Sequence, residues 1–195
     1  AAACAAATIP AGAPGAVRPN VLIILADDLG YGDISAFRPQ GDVRTPAIDR
    51  LAAEGMLFTT MRANCTVCSP TRAALLTGRN HHSGNMAGIT ETATAFPGNT
   101  AQRPNNVAPL AEMLRLNGYS TAMFGKAHVT PMWETSPAGP FDRWPTGLGF
   151  ERFYGFLGGE ASQWEPALHD QTTPIAPYVG RDDYHLTEDL ADRTI

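Results

Sequence analysis

Cys65 and Cys68 stand in the stretch CTVCSPTRAALLTGR, where two motifs share one sulfur. Cys65-x-x-Cys68 has the spacing of a dithiol, in which one thiolate attacks and the other resolves. Cys68 also opens C-x-P-x-R with Pro70 and Arg72, and neither of those residues nor the following Leu-Thr-Gly-Arg has a part in dithiol exchange. Two further groups carry chemistry: the paired carboxylates Asp27-Asp28, and Lys126 with His128 in the tetrapeptide GKAH. Together these are two hard oxygen donors, one nucleophile candidate, and two cationic or titratable groups. Each has a plain reading alone: an Asp pair caps turns, a lone histidine packs structurally, Arg72 is a surface charge, and His81-His82 sit exposed in a loop. The joint set is what points to a site.

Zinc is a poor match, because a structural site wants a second pair of soft ligands. The third cysteine is Cys4, far from the pair, and no H-E-x-x-H occurs. GKAH lacks the glycine run of a phosphate-binding loop, and no G-x-G-x-x-G is present.

The elements that would position these residues alternate strand and helix. Asn20 to Ala26, NVLIILA, is a continuous β-branched apolar run, the pattern of a strand buried on both faces of a parallel sheet. Thr45-Pro46 opens a helix to Glu54, with threonine as cap, proline at the first helical position and Gly55 beyond the end. Met56 to Met61 reads as a second strand, the Cys68 segment as a turn entering a helix, Val107 to Asn117 as a helix closed by Gly118, and Tyr119 to Phe124 as a third strand. HLTEDLADRTI begins a last helix with Thr187 as cap. Ala127 to Pro177, rich in proline and tryptophan, yields no elements. The order predicts an α/β sheet flanked by helices. Ligands of such sheets gather at the carboxyl ends of strands, where Asp27-Asp28, the Cys68 loop and Gly125-to-His128 all fall.

Composition narrows the function classes. The 195 residues suffice for one domain with a hydrophobic core, and 44% hydrophobic with 17% charged content is ordinary for a globular chain. No apolar run approaches the roughly 20 residues of a membrane helix, so no membrane span is predicted. A net charge of -5 with scattered basic residues leaves no footprint for nucleic acid. Three cysteines make no disulfide framework. Arginine supplies 13 of the 14 basic residues, so Lys126, the one lysine, marks a position where a compact ammonium and a guanidinium do not interchange. Residues 1–19 are small, Pro/Gly-rich and aperiodic, and read as a flexible leader; residues 20–195 form the folded part. The leader reads as what remains of an export signal, favouring a periplasmic or secreted location over the cytoplasm. Ala2-Ala3-Cys4 has the form of a lipoprotein signal tail, without the apolar stretch that precedes one. The final helix stops before any cap, so the chain reads as the N-terminal part of something longer.

Cys68 to Arg79, CSPTRAALLTGR, resembles the signature of the type I sulfatases, whose C-x-P-x-R cysteine is oxidised to formylglycine. The similarity runs on through PNVLIILADDLGYGDI, TPAIDRLAAEGMLFT, NGYSTAMFGKAH and GPFDRWPTGLGFERFYGFLGGE, the last resembling large bacterial arylsulfatases. The resemblance implies an alkaline-phosphatase-like sandwich, with a mostly parallel central sheet, present here as its N-terminal part. It implies a sulfate ester as small-molecule substrate and a formylglycine-generating enzyme as maturation partner. It also implies a calcium ion held by Asp27, Asp28 and modified residue 68. Calcium prefers oxygen, so an aldehyde hydrate suits the ion better than a thiolate does. By the same resemblance the hydrate attacks sulfur in line, the alcohol leaves, and sulfate is expelled as the aldehyde reforms. Arg72, one helical turn on, holds the modified residue. Lys126 bridges that residue and a sulfate oxygen, and His128 takes a proton as the intermediate breaks down.

Two departures qualify the match. The family commonly has tryptophan where Ala127 stands, which predicts a wider pocket. Further Asp/Asn calcium ligands, a histidine and a lysine have no counterpart within this chain, so an inactive fragment is one expectation. Others left open are a phosphonate or phosphodiester hydrolase sharing C-x-P-x-R, and a dithiol redox protein.

Overall fold

The computed structural model describes residues 18–195, which fall into two compact units divided between Ala63 and Asn64. Most of the predicted leader, including Cys4, lies outside the described residues.

In the first unit the one α-helix among the described residues is α1, Pro46–Glu54, ending at Gly55 as predicted. Thr45 precedes it but makes no side-chain cap bond. Its hydroxyl instead donates to Asp49 Oδ1 at 3.1 Å, while Ser35 Oγ donates to Asp49 Oδ2 at 2.6 Å. Those bonds fasten the helix start to the preceding loop. The predicted strands Asn20 to Ala26 and Met56 to Met61 do not form. A strand exists only as part of a ladder, and no described residue pairs with either segment. Leu22 and Ile24 are accordingly 74% and 68% exposed.

The second unit carries a four-stranded mixed sheet in the order β1-β2-β3-β4: Ala122–Lys126, Arg152–Phe156, Leu168–Asp170 and Thr173–Ile175. β1 and β2 run parallel, and the other pairs antiparallel. Three helices accompany it: α2, Cys68–Thr77; α3, Leu110–Leu116; and α4, Leu186–Thr194. The sheet and its helices make the chain α/β. β1 starts at Ala122, three residues later than predicted, because Thr121 is already engaged: its N–H reaches Glu151 and its hydroxyl donates to the Gly149 carbonyl at 2.6 Å. α3 begins after Pro109, which disfavours helical geometry in the residue before it. His185, not Thr187, stands at the α4 N-cap position, and the Thr187 hydroxyl goes to Gln163.

Close backbone approach in the parallel pair depends on glycine. Gly125 and Gly155 are register partners, and a Cβ on Gly155 would lie 2.0 Å from the Gly125 carbonyl oxygen. Three apolar clusters hold the unit. One gathers Ala73, Met86, Ala101, Val129 and Leu148 under α2. A second joins Ala127, Trp144, Phe153 and Leu157 at the β1 end, with Trp144 Nε1 donating to the Glu134 carbonyl at 2.6 Å. The third packs α4 on β2, where Tyr154 and Tyr184 both donate to the buried Asp189 carboxylate. Among the described residues, no helix is long and apolar enough to cross a membrane.

Candidate active site

Cys68 is the first residue of α2, as its motif predicts. Val67 ahead of it is extended and provides no side-chain cap. Pro70 fits in the first turn because a helix start has no partner for that N–H in any case. The Thr71 hydroxyl donates to the Cys65 carbonyl at 2.7 Å, pinning the incoming loop against the helix. Gly78, in left-handed geometry at φ 65, ends it. Cys65 and Cys68 are both free thiols and both half-buried.

Contacts from α2 and from the turn carrying Glu91 reach the end of β1 and the residues just after it. Arg72, only 8% exposed, sends Nη1 to the Lys126 carbonyl at 2.6 Å. The helix that begins at Cys68 is thereby joined to the last residue of β1. Ser69, fully buried, accepts the Thr90 N–H at 3.4 Å, which ties the same first turn to the loop carrying Glu91. Glu91 in turn meets His128: Nε2 lies 3.0 Å from Oε1 and 2.9 Å from Oε2.

His128 is held on every side. It is 2% exposed, and its backbone takes φ 50, a left-handed conformation that costs a non-glycine residue about 1–3 kcal/mol. Gly159 lies against the ring, where a Cβ would come within 2.8 Å of Cε1. Nδ1 is buried and has no hydrogen-bond partner among the described residues. Partial burial pushes the Glu91 carboxyl up, but its hydrogen bond with His128, aided by its own backbone N–H, the His128 charge and Thr90, outweighs that and leaves it below the ordinary value.

Ala127, between Lys126 and His128, is 0% exposed and packs with Trp144, Phe153 and Leu157. Its side chain therefore faces the core, where alanine leaves room for the Trp144 ring, and the wider pocket expected from this position is not what the packing gives.

Asp27 and Asp28 belong to the first unit, whereas Cys68, Arg72, Lys126 and His128 belong to the second. Asp28 has φ 55, so the pair sits on a sharp backbone turn. Their carboxylates are the hard donors that calcium takes, and they fit the ion by chemistry. They are part of a shell only: among the described residues no three His, Cys, Asp or Glu groups gather to hold a metal. Of the three strand ends expected to carry the site, only that of β1 forms among the described residues. Cys68 is positioned by α2 rather than by a strand.

Sequence reasoning missed Glu91. It lies 37 residues from its histidine, and nothing in Thr-Glu-Thr marks it; the three residues form a single 3-10 turn. A cleft of about 720 Å³ is lined by Arg103, Arg143, Trp133 and neighbouring residues, and none of the predicted site residues lines it.

Comparison with known proteins gives a single direction. A family model described as Sulfatase matches residues 19–195. The chain is 35% identical over 173 residues to an uncharacterized sulfatase of Schizosaccharomyces pombe, covering 83% of this chain and 28% of that one. It is 38% identical over 164 residues to Arylsulfatase A of Bos taurus, covering 84% and 28%. The crystal structure of Ps i-CgsB superposes with a TM-score of 0.68 at 25% identity, over 87% of this chain and 39% of that one. The chain thus spans less than a third of the length of these two curated relatives.

Proposed function

The chain belongs to the sulfatase family, and from that premise we propose that the protein hydrolyses sulfate monoesters, aryl sulfates foremost, through a formylglycine made from Cys68. The observation that carries this reading is the Arg72–Lys126 bond at 2.6 Å, which links the start of the Cys68 helix to the strand end bearing Lys126 and His128. That contact supports the reading in which Cys68, Lys126 and His128 act as nucleophile, cation and proton carrier near one end of β1.

Formylglycine, once formed by a maturation enzyme and hydrated, supplies an oxygen nucleophile beside a calcium ion that draws charge from the sulfate. Asp27 and Asp28, with modified residue 68, would hold that ion. This chain's own groups do the rest. Arg72, one turn beyond residue 68 on α2, would hold the modified residue, and its bond to the Lys126 carbonyl ties the helix to β1. Lys126 offers an ammonium to a sulfate oxygen, where negative charge grows as the ester bond breaks. His128, locked by Glu91 and Gly159, is placed to hold the proton that moves in turnover. The start of α2, whose first backbone N–H groups have no partner within the helix, would add donors toward an anion.

The test is hydrolysis of p-nitrophenyl sulfate by the full-length protein matured with a formylglycine-generating enzyme, run beside Cys68→Ala and Cys65→Ser. We expect Cys68→Ala to abolish turnover and Cys65→Ser to retain most of it. Equal loss in both would instead identify a working dithiol. Faster turnover of bis(p-nitrophenyl) phosphate than of the sulfate would move the assignment to a phosphodiesterase.

A further inference from the structure

We propose that Glu91 is a positioning residue that holds His128 in the tautomer with its proton on Nε2, leaving Nδ1 as the proton acceptor. Both Glu91 oxygens lie within 3.0 Å of the same ring nitrogen, so one N–H is shared across the carboxylate. An ionised carboxylate accepts only, which obliges Nε2 to carry the hydrogen. In a neutral imidazole the lone pair then belongs to Nδ1. That atom is buried and has no hydrogen-bond partner among the described residues, so its lone pair is not already engaged. Against the effect of partial burial, the hydrogen bond with His128 lowers the Glu91 carboxyl, which keeps it ionised and so an acceptor only.

The surroundings fix the ring as well as the proton. His128 has a left-handed backbone, and Gly159 leaves space against the ring. The Thr90 N–H on Ser69 Oγ holds the Glu91 loop to the first turn of α2. Glu91 therefore reports to the same helix start as Cys68 without needing to touch substrate. When a hydroxyl of the site gives up a proton, it passes to Nδ1; Nε2 keeps its own, and the resulting imidazolium faces the Glu91 charge, which stabilises it. The base role rests on the sulfatase reading above, while the tautomer does not.

The experiment is long-range proton–nitrogen NMR of the imidazoles in the full-length protein, labelled at histidine and assigned with His128→Gln. For the wild type at neutral pH, Nε2 is expected protonated and Nδ1 bare. In Glu91→Gln the amide can present either N–H or oxygen, so the His128 signals should move toward the other tautomer or a mixture, and kcat on p-nitrophenyl sulfate should fall roughly a hundredfold with KM little changed. A wild-type spectrum with the proton on Nδ1 overturns the proposal even if no variant folds, as do unmoved His128 signals in a folded Glu91→Gln protein. The expected tautomer in a protein inert toward sulfate esters would sustain the positioning by Glu91 and sink the base role with the sulfatase reading.

Discussion

Arg72 Nη1 donates to the Lys126 carbonyl at 2.6 Å, across 54 residues of sequence, and joins the start of α2 to the end of β1. A bond from a charged donor to a buried carbonyl contributes about 1.5–3 kcal/mol. Arg72→Lys is expected to lose most of that stability, since the shorter ammonium cannot repeat the guanidinium geometry. Turnover should fall by roughly a hundredfold or more. Chemical denaturation and aryl sulfate kinetics check the two halves separately, and normal kinetics with reduced stability would confine Arg72 to a structural part.

The Gly125–Gly155 pairing sets a second expectation. A Cβ on Gly155 would lie 2.0 Å from a backbone oxygen, and backbone in a ladder cannot step aside. Gly155→Ala should cost at least about 3 kcal/mol, at the upper end of overpacking effects. Gly159→Ala meets the His128 ring instead, at 2.8 Å from Cε1, and should lower turnover more than it lowers stability. Reversal of that order in paired denaturation and rate measurements would contradict the placement of His128.

Glu91 gives a pH dependence with a definite sign. Its carboxyl is held below the ordinary 4.5, so its contribution to stability is complete above that pH and is lost as pH falls through the lower folded value. The difference in Tm between wild type and Glu91→Gln should be constant from neutral pH down to about 4.5 and should close below it. A gap that widens in acid would mean that the carboxyl is raised instead. Its side chain is about a third exposed, so the gap will be small.

Calcium is the fourth test. Asp27 and Asp28 supply only part of a shell of roughly six to eight oxygens, so binding belongs to the full-length protein. Millimolar calcium should raise its Tm, magnesium less so, and Asp28→Asn should remove most of the increment. A Tm indifferent to calcium and to chelator would remove the ion from the account.

What was legible in the sequence was mostly local. α1 is readable because its boundaries are written in adjacent residues, Pro46 and Gly55, and the Cys68 segment is readable as a turn entering a helix, whose end at Gly78 only the structure gives. Asn20 to Ala26 was misread because strand character is a property of partners, which a run of β-branched residues does not supply. β3 and β4 have three residues each, too short for any alternation to register, and β2 is hidden by the aromatic-rich segment around it. Of the candidate site, Cys68, Lys126 and His128 stand out by residue type and position and Arg72 through the motif resemblance, yet the contact from Arg72 to Lys126 runs from a side chain to a carbonyl, which no motif encodes. Glu91 was invisible for a related reason, since the His128–Glu91 pair exists only after the fold brings two distant loops together.

The most direct measurement is mass spectrometry of the tryptic peptide ANCTVCSPTR, residues 63–72, from protein co-expressed with a formylglycine-generating enzyme. We expect an aldehyde at position 68 with Cys65 still a thiol, in a protein that turns over aryl sulfate in proportion to the aldehyde present. Full activity in protein whose Cys68 remains a thiol, or is paired with Cys65, would contradict that expectation.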